Sequence, residues 1–103
     1  MHLHGYKHAI VGTGAGLYAG QALNSTNPMR RDTTLVPAYS WLAVRVIADN
    51  PGNWMFHCHL IWHHASGLAF QLFTLPDAAA ALGYPDVLAE QCKTMQSLQL
   101  GGA

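Results

Sequence analysis

Between His57 and His63 the chain sets His57, Cys58, His59 and His63, four metal-competent side chains within seven residues. Thiolate sulfur is a soft donor and imidazole suits copper. Two histidines and one cysteine with a weak or absent fourth ligand form the set that holds a blue, electron-transferring copper. On an extended backbone successive side chains point to opposite faces, so His57 and His59 share one face while Cys58 leaves from the other. A strand over Asn53 to His59 therefore serves two metal sites. Cys58 and His63 supply two ligands of the first, and the four residues between them let a loop turn back. Leu68, five residues beyond His63, stands where a weak axial methionine sits in such loops. A hydrocarbon donates nothing, which predicts a three-coordinate copper of relatively high reduction potential.

The start of the chain repeats the period-two spacing in His2-Leu3-His4-Gly5. His2, His4, His57 and His59 can then share a second site, and the covalent run from Cys58 to its flanking histidines is a short through-bond path between the two.

Four segments in order, His2 to Gly5, Asn27 to Thr33, Ala48 to Trp54 and His57 to Leu68, resemble the C-terminal part of the last plastocyanin-like domain of the multicopper oxidases, with laccases nearest. The resemblance covers residues 1–76. It implies His2 as a ligand of the type 2 copper and His4, His57 and His59 as ligands of the type 3 pair. Cys58 and His63 become type 1 ligands with Leu68 at the axial position, and Cys58, His57 and His59 become the residues that carry catalysis. By the same resemblance the type 1 copper takes single electrons from a phenolic or similar reducing substrate, with ascorbate or ferrous iron as other candidates. The trinuclear cluster uses four of them to reduce dioxygen to water. The parent protein is expected to be secreted, although residues 1–7 lack a signal-peptide pattern.

The departures from the family pattern also matter. The motif is His-Pro-x-His-x-His-Gly, and Met1 stands at the first x, so the type 1 histidine that should precede it is absent. The two earlier His-x-His pairs of the family, which belong to other cupredoxin domains, are absent too. The chain is therefore expected to be a fragment, or to have been started at an internal methionine, and to be inactive without those N-terminal domains. Cys92 is left as an odd thiol. Its two readings are a free cysteine and, as in some fungal laccases, a disulfide to a partner outside the chain. Asn24-Ser25-Thr26 is a glycosylation acceptor sequence that leans toward secretion.

Of the 103 residues half are hydrophobic and a tenth charged, with a formal net charge of zero. That composition is globular, with at most one domain. Neither a basic patch for nucleic acid or an anionic membrane surface nor an apolar stretch long enough to span a bilayer is present.

The elements that must position these ligands read as strands. Lys7 to Gly12 is a short apolar run ending in glycines that relieve backbone restriction and lack the Lys and Ser/Thr of a phosphate loop. Asn24 to Asp32 reads as loop, and Thr33 to Val36 as a short strand closed by Pro37. Trp41 to Ala48 alternates best. Asp49-Asn50-Pro51-Gly52 supplies a turn, which predicts a hairpin between that strand and the one carrying Cys58. A helical turn in the ligand loop ends at Gly67, and Leu68 to Leu75 reads as a further strand with Leu68, Phe70 and Leu72 on one face. Beyond Pro76, Asp77 to Leu82 and Asp86 to Leu98 have helical composition with Asp at each N-cap. The expected fold is all-β, a partial cupredoxin-like Greek-key β-sandwich over residues 1–76 with a helical C-terminal extension over 77–103. A sandwich cut in this way exposes sheet edges that invite aggregation.

Several residues take plainer roles. His8 and His64 fill no motif position and are assigned to solvent or to supporting contacts. Trp54 and Trp62 are assigned to the hydrophobic shell of the site, Arg30, Arg31 and Asp32 to an ion network in their loop, and Met29, Met55 and Met95 to packing. Three functions suit the residues: part of an oxidase, a non-catalytic copper-binding or electron-transfer half-domain, and a zinc site. Zinc ranks last, since a structural zinc site needs no ligands alternating across a strand.

Overall fold

The computed structural model describes residues 1–100, the side chains of 99 and 100 excepted. Six strands and three helices run in the order β1 (His2–Leu3), β2 (His8–Ala15), β3 (Arg30–Arg31), β4 (Ser40–Arg45), β5 (Gly52–His57), α1 (Ile61–Ala65), β6 (Ala69–Thr74), α2 (Pro76–Ala81) and α3 (Asp86–Leu100). They form two antiparallel sheets of three strands, ordered β1-β5-β6 and β3-β2-β4.

The expected hairpin across Asp49 to Gly52 does not form. β4 pairs with β2, and β5 lies between β1 and β6, so the turn carries the chain from one sheet to the other. The Asn50 carbonyl holds that crossing by accepting from Tyr6 Oη at 2.7 Å, Trp54 Nε1 at 3.0 Å and Thr74 Oγ1 at 2.6 Å. These donors come from the segment after β1, from β5 and from β6. Tertiary donors thus override a turn signal that is strong locally but silent about which strands it joins.

Other boundaries shift as well. β2 runs on through the glycine stretch to Ala15 because Gly12 and Gly14 lie beneath the Trp41 ring of β4. A Cβ on Gly14 would come within 2.8 Å of Trp41 Nε1. Those two glycines serve close approach rather than unusual dihedrals. Residues 33–36 form no strand, only an isolated bridge from Thr33 to His2. Arg30–Arg31, expected in a loop, pairs instead with His8 and Ala9. No ion network gathers there: Arg31 Nε donates to Met29 Sδ at 3.1 Å, and Met29 is itself exposed. At α2 the N-cap is Leu75 in the left-handed region, with Pro76 at the first helical position and Asp77 inside the first turn. Proline's fixed φ suits that first position, which displaces Asp77 from the cap. Asp86 likewise lies inside α3.

The core is thin. Among the described residues Leu3, Val11, Cys58 and Ala79 are the buried hydrophobic ones, joined by His8 and His57. Expected packing residues such as Trp62 and Met95 are exposed, and every residue of α3 from Asp86 to Leu98 is exposed. A compact chain of 11.2 kDa presents about 5,700 Å² to solvent; this one presents 8016 Å². Its radius of gyration is 17.5 Å against about 13 Å for a compact domain of this length. The sheets are those of a sandwich left open.

Candidate metal centre

β5 delivers the central residues. His57 ends the strand opposite His2 of β1, and Leu3 lies opposite Phe56. Cys58 lies just past the strand, but its N–H still donates to Leu68 O at 3.0 Å, which carries the extended path one residue further. Leu68 N–H in turn donates to His63 O at 3.0 Å, closing the loop through α1 upon its own ends. Gly67, at φ +95°, makes the reversal that permits this.

Two clusters result. On one side Cys58 Sγ lies 3.5 Å from His63 Nδ1. Leu68 adjoins them, and an apolar cavity of about 630 Å³ opens there, lined by Met1, Leu35, Val36, Cys58, His63 and Leu68 among others. On the other side His2, His4 and His57 bring ring nitrogens within 4.8 Å of one another. His4 Nε2 lies 3.0 Å from His57 Nε2. His59 borders this group with its ring 5.7 Å from that of His57 and 5.8 Å from that of His2, outside the tightest grouping.

The donor chemistry fits metal ions on both sides. His57 Nδ1–H donates to Cys58 O at 2.9 Å, and His2 Nδ1–H donates to Asp32 O at 3.0 Å with Thr33 Oγ1 at 2.9 Å. A backbone carbonyl accepts only, so each ring carries its proton on Nδ1 and presents an Nε2 lone pair to the cluster. This is the tautomer-fixing arrangement that metal-binding histidines use. Ligand bonds of about 2.0 Å to nitrogen and about 2.3 Å to sulfur place neighbouring ligand atoms roughly 3 to 4 Å apart. The nitrogen pair at 3.0 Å and the sulfur–nitrogen pair at 3.5 Å both lie in that range. Loss of hydration, then the charges of His2, His57, His59 and His64, hold the His4 pKa below the ordinary 6.5.

Trp54 supports the site as expected, its ring beneath Gly5. Trp62 is 80% exposed and does not: in the short α1 the half-buried residue is His64. His8 is fully buried, with Nε2 2.7 Å from Thr34 Oγ1. His64, left to solvent or support by the sequence, is half-buried with its ring 4.5 Å from that of His57. The Asp32 carbonyl that anchors His2 also escaped the sequence reading, because a backbone acceptor has no sequence signal.

Comparison with known proteins gives a consistent result. A family model described as multicopper oxidase matches residues 1–78. The chain is similar to the iron transport multicopper oxidase fio1 of Schizosaccharomyces pombe, 42% identical over 96 residues that make up 88% of this chain and 15% of that protein. It is also similar to laccase-3 of Botryotinia fuckeliana, 45% identical over 75 residues, covering 69% of this chain and 16% of that one. Among solved structures, the laccase of Botrytis aclada superposes with a TM-score of 0.75 at 27% identity, over 93% of this chain and 19% of the laccase chain. The expected cupredoxin-like architecture is borne out by that superposition. The chain thus spans less than a fifth of the length of these relatives.

Proposed function

The chain belongs to the multicopper oxidases, on their laccase-like side, and from that membership we propose that residues 1–76 form the C-terminal copper-binding part of a laccase-like oxidase domain, followed by a helical extension. In this reading Cys58 and His63 would hold the type 1 copper, with Leu68 beside them as a side chain that cannot donate. His2 binds the type 2 copper, and His4, His57 and His59 bind the type 3 pair. When bound, these coppers supply one-electron oxidation of a phenolic or similar reducing substrate, coupled to the four-electron reduction of dioxygen to water.

The observation that carries the proposal is the division at adjacent residues: Cys58 Sγ faces His63 while His57 Nε2 faces His4. The protein's own part follows from it. One peptide unit joins the sulfur side to the imidazole side, so an electron need cross only covalent bonds between them. The Cys58 and Asp32 carbonyls hold His57 and His2 in the tautomer that donates. The described side chains beside Cys58 are mostly apolar and offer the sulfur no competing polar partner. Residues outside this chain would complete both sites, and the parent protein would be secreted.

The test is copper loading of this chain alone and of the longest reading frame that contains it. The long form should turn blue and consume oxygen with a phenol, and the short form should not consume oxygen. Cys58→Ser should remove the blue band and leave copper at the imidazole cluster. Blue colour without oxygen uptake in the long form would identify an electron-transfer domain instead. A colourless protein that selects zinc would refute copper chemistry altogether.

A further inference from the structure

His63 and His64 are consecutive residues of α1, and consecutive helical side chains diverge by about 100°. The helix spends that divergence across the Cys58–His57 segment. His63 reaches the sulfur side with Nδ1 3.5 Å from Cys58 Sγ. His64 reaches the imidazole side, its ring centroid 4.5 Å from that of His57 and the planes only 31° apart. No other described ring lies so near His57: His4 stands at 5.1 Å, His2 at 5.6 Å and His59 at 5.7 Å.

The backbone of His64 is pinned at both polar groups. Its N–H donates to Leu60 O at 3.0 Å, and its carbonyl accepts from Gly67 N at 2.9 Å. The loop around it is pinned as well, by Ser66 Oγ donating to Trp62 O at 2.7 Å and by the Leu68 and Cys58 bonds described above. His57, by contrast, is anchored through one edge, where Nδ1–H meets Cys58 O. That bond sets the tautomer, and the plane of the buried ring is then set by the side chains around it. The tilted His64 ring, with its centroid 4.5 Å away, is the nearest ring that can fix that plane.

We propose that His64 is a positioning residue for His57: its ring packs against the His57 imidazole and holds the plane in which His57 Nε2 faces His4. This rests on the reading of His57 as a metal donor. The same helical turn therefore sets the geometry of both sites, one through each of two neighbouring histidines.

The test measures copper(II) affinity of the full chain by competition with a chelator, together with the electron paramagnetic resonance spectrum of the bound ion, in a Cys58→Ser background that leaves the imidazole cluster as the binding site. Loss of a group that orients a metal-binding histidine costs roughly 10- to 100-fold in affinity. His64→Ala should show that loss and a broadened spectrum, while His64→Phe, which keeps a flat ring and no donor, should restore most of the affinity and the native spectrum. His57→Ala serves as the reference. If it abolishes cluster binding while His64→Ala binds like the parent, the positioning role is overturned and the metal reading stands. If His57→Ala has no effect, the metal reading itself fails. Equal weakening in His64→Ala and His64→Phe would overturn ring packing in favour of a polar role. Should His64→Ala fail to fold, the comparison of His64→Phe with His64→Asn decides the same question, with Phe expected to bind more tightly.

Discussion

Gly5 offers the sharpest quantitative test, because two glycines with nearly the same positive φ differ in what surrounds them. Gly5 has φ +73° and Gly16 has φ +72°. A Cβ on Gly16 would meet nothing within 4 Å, whereas one on Gly5 would lie 2.6 Å from Trp54 Cε2 and closer still to Cδ2 and Cε3. An alanine forced into the left-handed region costs about 1–2 kcal/mol, and Gly16→Ala should lose that much. Gly5→Ala should lose the same plus about 1–3 kcal/mol for overpacking against the indole, or about 2–5 kcal/mol together. Urea unfolding at low protein concentration, followed by far-UV circular dichroism, gives both values. In a Trp54→Ala background Gly5→Ala should fall back to the cost seen at Gly16, so the cycle isolates the contact. Gly5 follows His4, and Trp54 stands three residues before His57 on β5, so the clash should also weaken copper binding at the imidazole cluster in Gly5→Ala and spare it in Gly16→Ala. Equal losses at the two glycines, or an unchanged cost once Trp54 is removed, would rule out the indole contact as the cause.

If Leu68 borders the copper that Cys58 and His63 are proposed to hold, Leu68→Met adds a thioether donor there and should lower its reduction potential; a redox titration of the long form that shows an equal or higher potential contradicts that placement. Burial, opposed by Asp32 and assisted by the chain's amino terminus and His2, holds the His8 pKa below 6.5. Above pH 6.5 both folded and unfolded chains carry His8 neutral and its stability contribution is complete. As the pH falls below 6.5 the unfolded chain takes up a proton that the folded one refuses, so stability should drop by at most about 1.4 kcal/mol per pH unit, and less steeply in His8→Phe, as read from urea midpoints across the range. The excess apolar surface and the unpaired edges of β4 and β6 predict that the chain alone aggregates with rising concentration; a monomeric sedimentation profile with a sharp thermal transition would contradict this.

The residues proposed as ligands stand out in the sequence because their chemistry is local. His57, Cys58 and His59 lie next to one another, His2 and His4 two apart, and strand alternation alone predicts that the sulfur and the rings part company. The helical turn ending at Gly67 and the helices beyond Pro76 were legible for the same reason, from local composition and breakers. Strand pairing was not. The alternating run at Trp41 and the turn at Asp49 to Gly52 both exist, yet nothing within either segment says that β4 will join β2 or that Tyr6, Trp54 and Thr74 will converge on the Asn50 carbonyl. The exposure of Trp62 and the burial of His8 escaped for a related reason, since each depends on which element arrives opposite.

What the residues determined unaided is therefore the identity and spacing of the donors, the hydrocarbon at Leu68 and the hinges that let the loop close, since all of these follow from side-chain chemistry and bonded geometry. The tertiary structure alone decided that β1 lies beside β5, bringing His4 Nε2 within 3.0 Å of His57 Nε2, that the Asp32 carbonyl fixes the tautomer of His2, and that His64 meets the ring of His57. Which elements arrive opposite one another depends on the sum of many weak packing terms across the fold, and no single segment carries that sum.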